Sequence, residues 1–516
     1  MTATDVHPTT EAGRGRQEGQ PLRIAVIGAG FGGLGTLLQL RAAGYPDVTV
    51  YERADEIGGT WRDNTYPGCA CDIPSVLYSF SFEPNPDWSR VYPPQPEIQQ
   101  YLLGVVERHG LRARIRLGTE ISELRYDEPS CTWTLQTTAG ETSTYDVVVN
   151  ATGPLSRPSV PSLAGLGTFA GTTFHSAHWD HGHDLAGRRV AVVGTGASAI
   201  QFVPEIAPVV EHLTVFQRTA PWVFPRRDRA LSAGERLRYR RLPILQRLSR
   251  WRVYFQQELL AFAMLGNRRM RTQMQTMGRA AIEEAIDDPE LRGMVTPSFA
   301  PGCKRLLISN DWYPALVREN VELVTESIAE VVPEGIVTAD GVTHEADTII
   351  FGTGFAATDF VSPVKVFGRG GIELSDVWHD HAATHLGLSV AGFPNLFLIL
   401  GPNTTLGHNS VVFMIEAQIR YLRSALRLLD DAVGVALDLR PAVQADSYRD
   451  VQHRMGKTVW LSGCHSWYQS ADGHVDTLWP GFTVDYWRRT RHLRADEYTV
   501  LRASPTGAQV VSRGGS

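Results

Sequence analysis

The chain has 516 residues, 43% hydrophobic and 20% charged. At roughly 100 to 200 residues per domain that length predicts about two to four packed units, which excludes a small disulfide scaffold and a disordered polypeptide. With 49 basic against 55 acidic side chains the formal charge is −6, so no global positive field exists to hold nucleic acid. Five cysteines fit a reducing, cytoplasmic setting better than a secreted framework, and no apolar run is long enough for a membrane span.

Residues 1–21 are rich in Thr, Gly, Arg and Glu and read as a disordered leader. Order is expected from Arg23-Ile-Ala-Val-Ile27, a β-branched run that enters Gly28-Ala-Gly30-Phe-Gly-Gly33 and then an apolar stretch, Leu34 to Ala43. The pattern predicts strand, tight turn and helix. A second strand, Val48 to Tyr51, leads into Glu52, 24 residues beyond Gly28. This is a dinucleotide-binding fingerprint in its full context. Gly28 permits the turn, Gly30 lets backbone N–H groups approach a pyrophosphate, Gly33 lets helix and strand pack closely, and Glu52 accepts from ribose hydroxyls.

A second copy follows at Arg189-Val-Ala-Val-Val193 and Gly194-Thr-Gly196-Ala-Ser198-Ala199, with a strand Leu213 to Phe216 and then Gln217-Arg218. Counting residues puts Arg218 opposite Glu52, whereas aligning strands puts Gln217 there. In either register the acid is gone and a guanidinium is gained, which suits a ribose 2′-phosphate and hence NADPH. Two further strand exits, Tyr145 to Asn150 into Ala151-Thr-Gly153 and Ala346 to Ile350 into Phe351-Gly-Thr-Gly354, point toward cofactor.

Arg229 to Ala300 has helical texture. Within it and just before it, Arg226 to Arg252 carries ten arginines against Asp228 and Glu235, beside Leu237, Leu242, Leu245 and Leu248. The expectation is a solvated basic face over a packed apolar one, the alternative a surface for a membrane or an anionic partner. The expected fold is therefore α/β, two Rossmann-like dinucleotide-binding domains with a helical insertion. Residues 22–154 and 355–516 would form one domain, 155–228 and 301–354 the other, and 229–300 the insertion.

An acid-bearing first site and an NADPH-type second site imply hydride transfer from nicotinamide to flavin. Where the electrons go next is the open question. The only close cysteines, Cys69 and Cys71, would close a very small strained ring, and Cys131, Cys303 and Cys464 read as isolated buried thiols. That leaves oxygen or a soluble acceptor.

Here the sequence resembles the type I Baeyer-Villiger monooxygenases, relatives of the flavin-containing monooxygenases. The resemblance rests on Phe169, Gly171, His175, Trp179 and Asp180 of the pattern F-x-G-x-x-x-H-x-x-x-W-[PD], on Gly58-Gly59-Thr60-Trp61, on Tyr66-Pro67-Gly68 with Asp72, and on Gly401-Pro402-Asn403-Thr404 with Gly407-His408. It implies FAD and NADPH as cofactors and a small-molecule ketone and O2 as partners. The product would be an ester or lactone, formed through a C4a-peroxyflavin. Arg305 and Asp72 become the catalytic candidates, Arg305 as the fixed cation beside the peroxide and Asp72 as the residue that orients it. Thr60, Trp61, Asp72 and Tyr78 are expected at the flavin, and Arg218, Thr219, Lys304 and Arg305 at NADPH. His175 is expected to support cofactor movement rather than proton transfer, and its neighbours His178, His181 and His183 lack the companion acids of a metal site. Trp460, Trp467, Tyr468 and Trp479 are candidates to close over substrate. Two alternatives stand beside this one, sulfur or nitrogen oxidation and a non-oxygenating flavin sensor. Gly473-His474-Val475 and Gln469-Ser470 depart from the family's pattern, so the substrate range does not carry over, and the sequence leaves the oligomeric state open.

Overall fold

A computed structural model describes residues 19–430, 432–464, 466, 468–470, 472–504 and 509–510. The expected leader lies almost wholly outside the described residues, as does Trp467.

The first fingerprint folds as β1 (Ile24–Ile27), α1 (Phe31–Ala42) and β2 (Val48–Tyr51), followed by the short β3 (Ile115–Arg116) and by β4 (Val147–Asn150). Next come β5 (Thr172–His175), β6 (Arg189–Val193), α2 (Ala199–Ile206) and β7 (His212–Phe216). After a two-residue strand at Val223–Phe224, four helices follow one another: α3 (Ala233–Arg241), α4 (Pro243–Met264), α5 (Arg268–Ala285) and α6 (Pro289–Val295). The chain then returns through β8 (Val321–Val324), β9 (Thr348–Phe351), β10 (Leu396–Leu398), α7 (Val411–Asp430) and α8 (Thr483–Arg489).

Two five-stranded parallel sheets organise these elements. The first runs β10-β4-β1-β2-β3 and the second β8-β7-β6-β9-β5. In both, the fingerprint strand sits inside the sheet, and its residues are buried on both faces. Ile24, Ala25 and Val26 have no accessible surface, and neither do Ala191 and Val192. Continuous apolar runs without alternation are what a parallel sheet covered on both sides requires. The first sheet draws β10 from far along the chain, and the second draws β9 from beyond the helices, so each is closed by late sequence.

Three local expectations change. The run Tyr145 to Asn150 is not one strand: Tyr145 ends a hairpin strand, Thr142–Tyr145, and β4 starts only at Val147. Asp146 makes the corner, accepting from Arg23 N at 2.9 Å and from Arg23 Nη2 at 2.9 Å. The second change concerns polarity in the helical segment. Leu237, Leu242, Leu245 and Leu248 are 44%, 52%, 37% and 58% exposed, so the apolar side of this basic stretch is not packed away. Its start is nonetheless well specified, because Ser232 Oγ accepts from Glu235 N and the Glu235 carboxylate accepts from Ser232 N at 3.0 Å, a capping box worth about 1 kcal/mol. Finally, Cys303 and Cys464 are not isolated thiols. They are disulfide-bonded across 161 positions with Cα atoms 6.2 Å apart, while Cys69, Cys71 and Cys131 remain free and buried.

Candidate functional site

Both glycine turns open on one cavity of about 1030 Å³ between the two sheets. At the first turn the fit is close enough to exclude any side chain. A Cβ on Gly28 would lie 2.6 Å from Ala151 O, and one on Gly33 would lie 1.8 Å from Gly28 O. Gly30 faces Gly59, and the start of α1, whose Phe31 and Gly32 line the cavity, has no side-chain cap for its first N–H groups. A helix start left uncapped in this way receives an anion. The second turn repeats the arrangement. A Cβ on Gly194 would meet Gly352 O at 2.7 Å, and α2 also begins without a side-chain cap. Two phosphate-sized cradles in one cavity fit two dinucleotides, FAD and NADPH.

Glu52 is 5% exposed and already tied into the turn. One carboxylate oxygen accepts from Ala29 N at 2.8 Å, and the other accepts from Arg62 Nη1 at 2.8 Å. Arg62 was not foreseen from the sequence; it follows Trp61 on a short helix, Thr60–Asp63, and its ion pair with Glu52 is a signal that only the fold reveals. At the second site the register is settled by hydrogen bonds. Gly28 N donates to Tyr51 O and Gly194 N to Phe216 O, so Gln217, not Arg218, stands where Glu52 stands. Gln217 is buried and donates to Met294 O at 2.8 Å, while Arg218 is exposed at the cavity rim.

Arg305 and Asp72 meet although 233 positions separate them. Arg305 Nη2 and Nε donate to the same Asp72 oxygen at 2.6 and 3.0 Å. A third of the Arg305 side chain stays open to the cavity, and the Asp72 charge holds its guanidinium above the ordinary value. Tyr468 abuts it, its phenol pushed up to about 12 by burial. Lys304 also lines the cavity. Burial and the neighbouring Arg218 lower its affinity for a proton. Two mutually repelling cations held at one rim are poised for a doubly charged anion such as a 2′-phosphate.

Of the remaining candidates, Thr60, Trp61, Tyr78, Gly196, Ser198 and Thr219 line the cavity. Trp61 Nε1 donates to the Tyr78 hydroxyl at 3.0 Å, which fixes both rings. Gly33 and Ala199 do not reach the cavity wall and act beneath it, Ala199 packing with no accessible surface against Gly352. Gln201 was missed: its amide accepts from Tyr66 OH at 3.0 Å and donates to Ala70 O at 3.0 Å, docking the loop that carries Asp72 onto α2.

His175 ends β5 beside β9, buried, with Nδ1 accepting from Ala177 N at 3.1 Å. Burial lowers its pKa from 6.5 to about 4, so the ring is neutral at neutral pH. Gly171 of the same motif admits a close approach, since a Cβ there would lie 2.2 Å from Asp347 O. His181 and His183 bond to Thr65 and Thr348 hydroxyls, each at 2.8 Å, and the described residues hold no group of three metal-ligating side chains. Burial pushes the Cys69 thiol up to about 12, which leaves no thiolate for a dithiol relay.

The flavin-binding monooxygenase-like family profile matches residues 21–248. That match and the paired cradles define the class, flavin monooxygenases with two dinucleotide sites. A Baeyer-Villiger monooxygenase of Streptomyces coelicolor is 48% identical over 94% of this chain and 93% of its own, and one of Pseudomonas aeruginosa is 45% identical over 98% and 95%. Cyclohexanone monooxygenase from Rhodococcus sp. Phi1 bound to NADP+ superposes with a TM-score of 0.82 at 30% identity, covering 91% of this chain and 97% of that one. The chain belongs to the Baeyer-Villiger monooxygenases.

Proposed function

We propose that the protein uses NADPH and O2 to insert one oxygen atom beside a ketone carbonyl, giving an ester or lactone and water. The observation that carries this reading is the Arg305–Asp72 pair at the junction of the two nucleotide cradles. FAD held in the first cradle would supply the redox chemistry between NADPH and oxygen. The chain's own residues create the setting. Arg305 keeps a permanent positive charge where an oxygen nucleophile and then the oxygen of the tetrahedral adduct carry negative charge. Asp72 aims that guanidinium by accepting from its Nε and Nη2, and a third of the Arg305 side chain stays open to the cavity. Gly28, Gly30, Glu52, Thr60, Trp61 and Tyr78 hold FAD, with Gly33 packed beneath them. Gly194, Gly196, Ser198, Arg218, Thr219 and Lys304 hold NADPH, with Ala199 beneath.

The sheet memberships support residues 22–154 and 355–516 as the FAD-binding domain, 155–228 and 301–354 as the NADP-binding domain, and 229–300 as the insertion. A cytoplasmic site of action matches the need for NADPH. The test is turnover of a panel of cyclic and linear ketones under isotopically labelled oxygen gas. One labelled atom in the ester, formed in equal amount to the NADPH oxidised, is the expected result. NADPH oxidation that yields only hydrogen peroxide across the panel overturns the assignment.

A further inference from the structure

Helix α4 is built inside out. Up to its last turn, the side that faces the protein is polar: Gln246, Arg250, Tyr254 and Glu258 recur every four residues, and only Ala261, Ala263 and Met264 at the end bury apolar side chains. Gln246 donates to Asn85 O at 2.6 Å, Arg250 Nη1 to Ser79 O at 2.9 Å and Val76 O at 3.0 Å. The Tyr254 hydroxyl hydrogen-bonds the Thr483 hydroxyl at 2.8 Å, and buried Glu258 accepts from Asn409 Nδ2 at 2.7 Å and Thr483 Oγ1 at 2.7 Å. The side that faces outward is apolar. Ile244, Leu248, Trp251, Phe255, Leu259 and Phe262 are 56%, 58%, 54%, 60%, 57% and 45% exposed. At about 100° per residue these six fall within an arc of about 80° and run about 27 Å along the helix. Phe262 stacks edge-on against Phe482 at 4.9 Å, which continues the patch to Val484 and Trp487 of α8, 40% and 38% exposed. A monomer rarely leaves so long a contiguous apolar strip uncovered.

Along the helical insertion itself the charges are almost all of one sign, and the acids contributed by other elements, Asp87 and Asp485, are ion-paired with Arg240 and Arg454. Between Glu235 and Glu283 the sequence has a single acid, Glu258, which is buried inward, against eleven arginines. Arg247 and Arg252 flank the strip on its two sides, are exposed, and form no salt bridge among the described residues. Arg236, Arg238 and Arg241 of α3 form none either. A second copy brought strip to strip would set these arginines against their own kind, which disfavours self-association. An anionic surface neutralises them, and an apolar medium covers the strip. No helix among the described residues is long and apolar enough to cross a membrane, so the helix would lie along an interface.

We propose that the outer face of α4 docks on the anionic lipid surface of a bilayer, Trp251, Phe255 and their neighbours entering the acyl boundary and the arginines meeting the headgroup phosphates. The inference goes beyond the proposed reaction and does not rest on it. The placement has a functional corollary. Met264, at the end of α4, packs with Trp460 and the disulfide-bonded Cys303, and a Cβ on Gly302 would touch it at 3.4 Å. The docked helix therefore ends against the loop that carries Lys304 and Arg305, and a lipid-dissolved ketone would be presented next to the cavity.

The test is flotation of the full-length FAD-loaded protein with vesicles of phosphatidylcholine alone or mixed with phosphatidylglycerol. Expected is co-flotation with the anionic vesicles, weakened by salt, and lowered about tenfold by Phe255→Ser combined with Trp251→Ser. Arg247→Gln with Arg252→Gln should lessen the salt dependence, Arg236, Arg238 and Arg241 remaining. NADPH oxidation and far-ultraviolet circular dichroism of both double variants should match the parent, which separates lost docking from lost folding. No flotation with anionic vesicles, or flotation unchanged by the serine variants, overturns the proposal. So does a concentration-dependent dimer in analytical ultracentrifugation that the serine substitutions dissociate, since that assigns the strip to a second copy.

Discussion

Arg305 and Asp72 show what a single pair of side chains contributes. Replacing Arg305 with Ala removes the only permanent charge that Asp72 orients. Ester formation should fall about a hundredfold or more while NADPH is still consumed and hydrogen peroxide accumulates, as product analysis beside a peroxide assay will show. Asp72→Asn keeps the shape but loses the charge-assisted bond, so its coupling should lie between parent and Arg305→Ala. Lys304→Ala and Arg218→Ala should each raise KM for NADPH about tenfold and leave KM for NADH nearly unchanged; equal effects on both would discard the 2′-phosphate role. His175 offers a pH prediction. Its proton affinity falls on folding, from a pKa of 6.5 to about 4, so the unfolded chain binds more protons between those values. Its contribution is therefore present above pH 6.5 and is lost as pH falls toward 4. A His175→Gln variant should show a shallower decline of Tm across that window. At this scale both fingerprints and Glu52 stand in the sequence as residue types at fixed spacings, whereas the Lys304-Arg305 pair is singled out only by the family resemblance. Gln201 and Arg62 stand out in neither way, because a glutamine or arginine on a helix carries no mark of a partner that only folding brings near.

Elements depend on whether a Cβ can be accommodated, and here the turns are unforgiving. Gly33→Ala would place a methyl group 1.8 Å from Gly28 O, where the first turn must yield. A destabilisation of about 3 kcal/mol and purification without bound flavin are expected, read by thermal melting and by the visible spectrum. Strands were readable where burial is two-sided, since β1, β2, β6 and β7 are short apolar β-branched runs next to turn signals. Register was not. Residue counting puts Arg218 opposite Glu52 and strand alignment puts Gln217 there; the backbone bonds of β6 and β7 select Gln217, the second unit having a helix of 8 residues where the first has 12. Helix α4 was misread for a related reason. Periodicity reveals that a helix has two unlike faces, and it cannot say which face meets protein when polar side chains find partners inside. Tyr145 to Asn150 broke at Asp146 because Arg23, more than a hundred positions earlier, captures that carboxylate.

At the scale of the molecule, the chain visits the first sheet, crosses to the second, leaves for four helices, and returns to both. The large cavity exists because the two sheets meet with their glycine turns facing, and no window of local sequence encodes that meeting. The two glycine fingerprints point to the class of fold, and long-range closure by β9 and β10 makes the site. The same is true of the cysteines, whose pairing depends on two loops 161 positions apart. The Cys303–Cys464 bond has a consequence for a protease. Between its two ends the chain runs through β8 and β9 of one sheet and β10 of the other, so the bond closes a loop that threads both. A nick anywhere inside that loop leaves the fragments joined. Limited digestion should therefore give an intact-sized band on a non-reducing gel and separate pieces once thiol is added, whereas a cut before Cys303 releases its fragment under either condition.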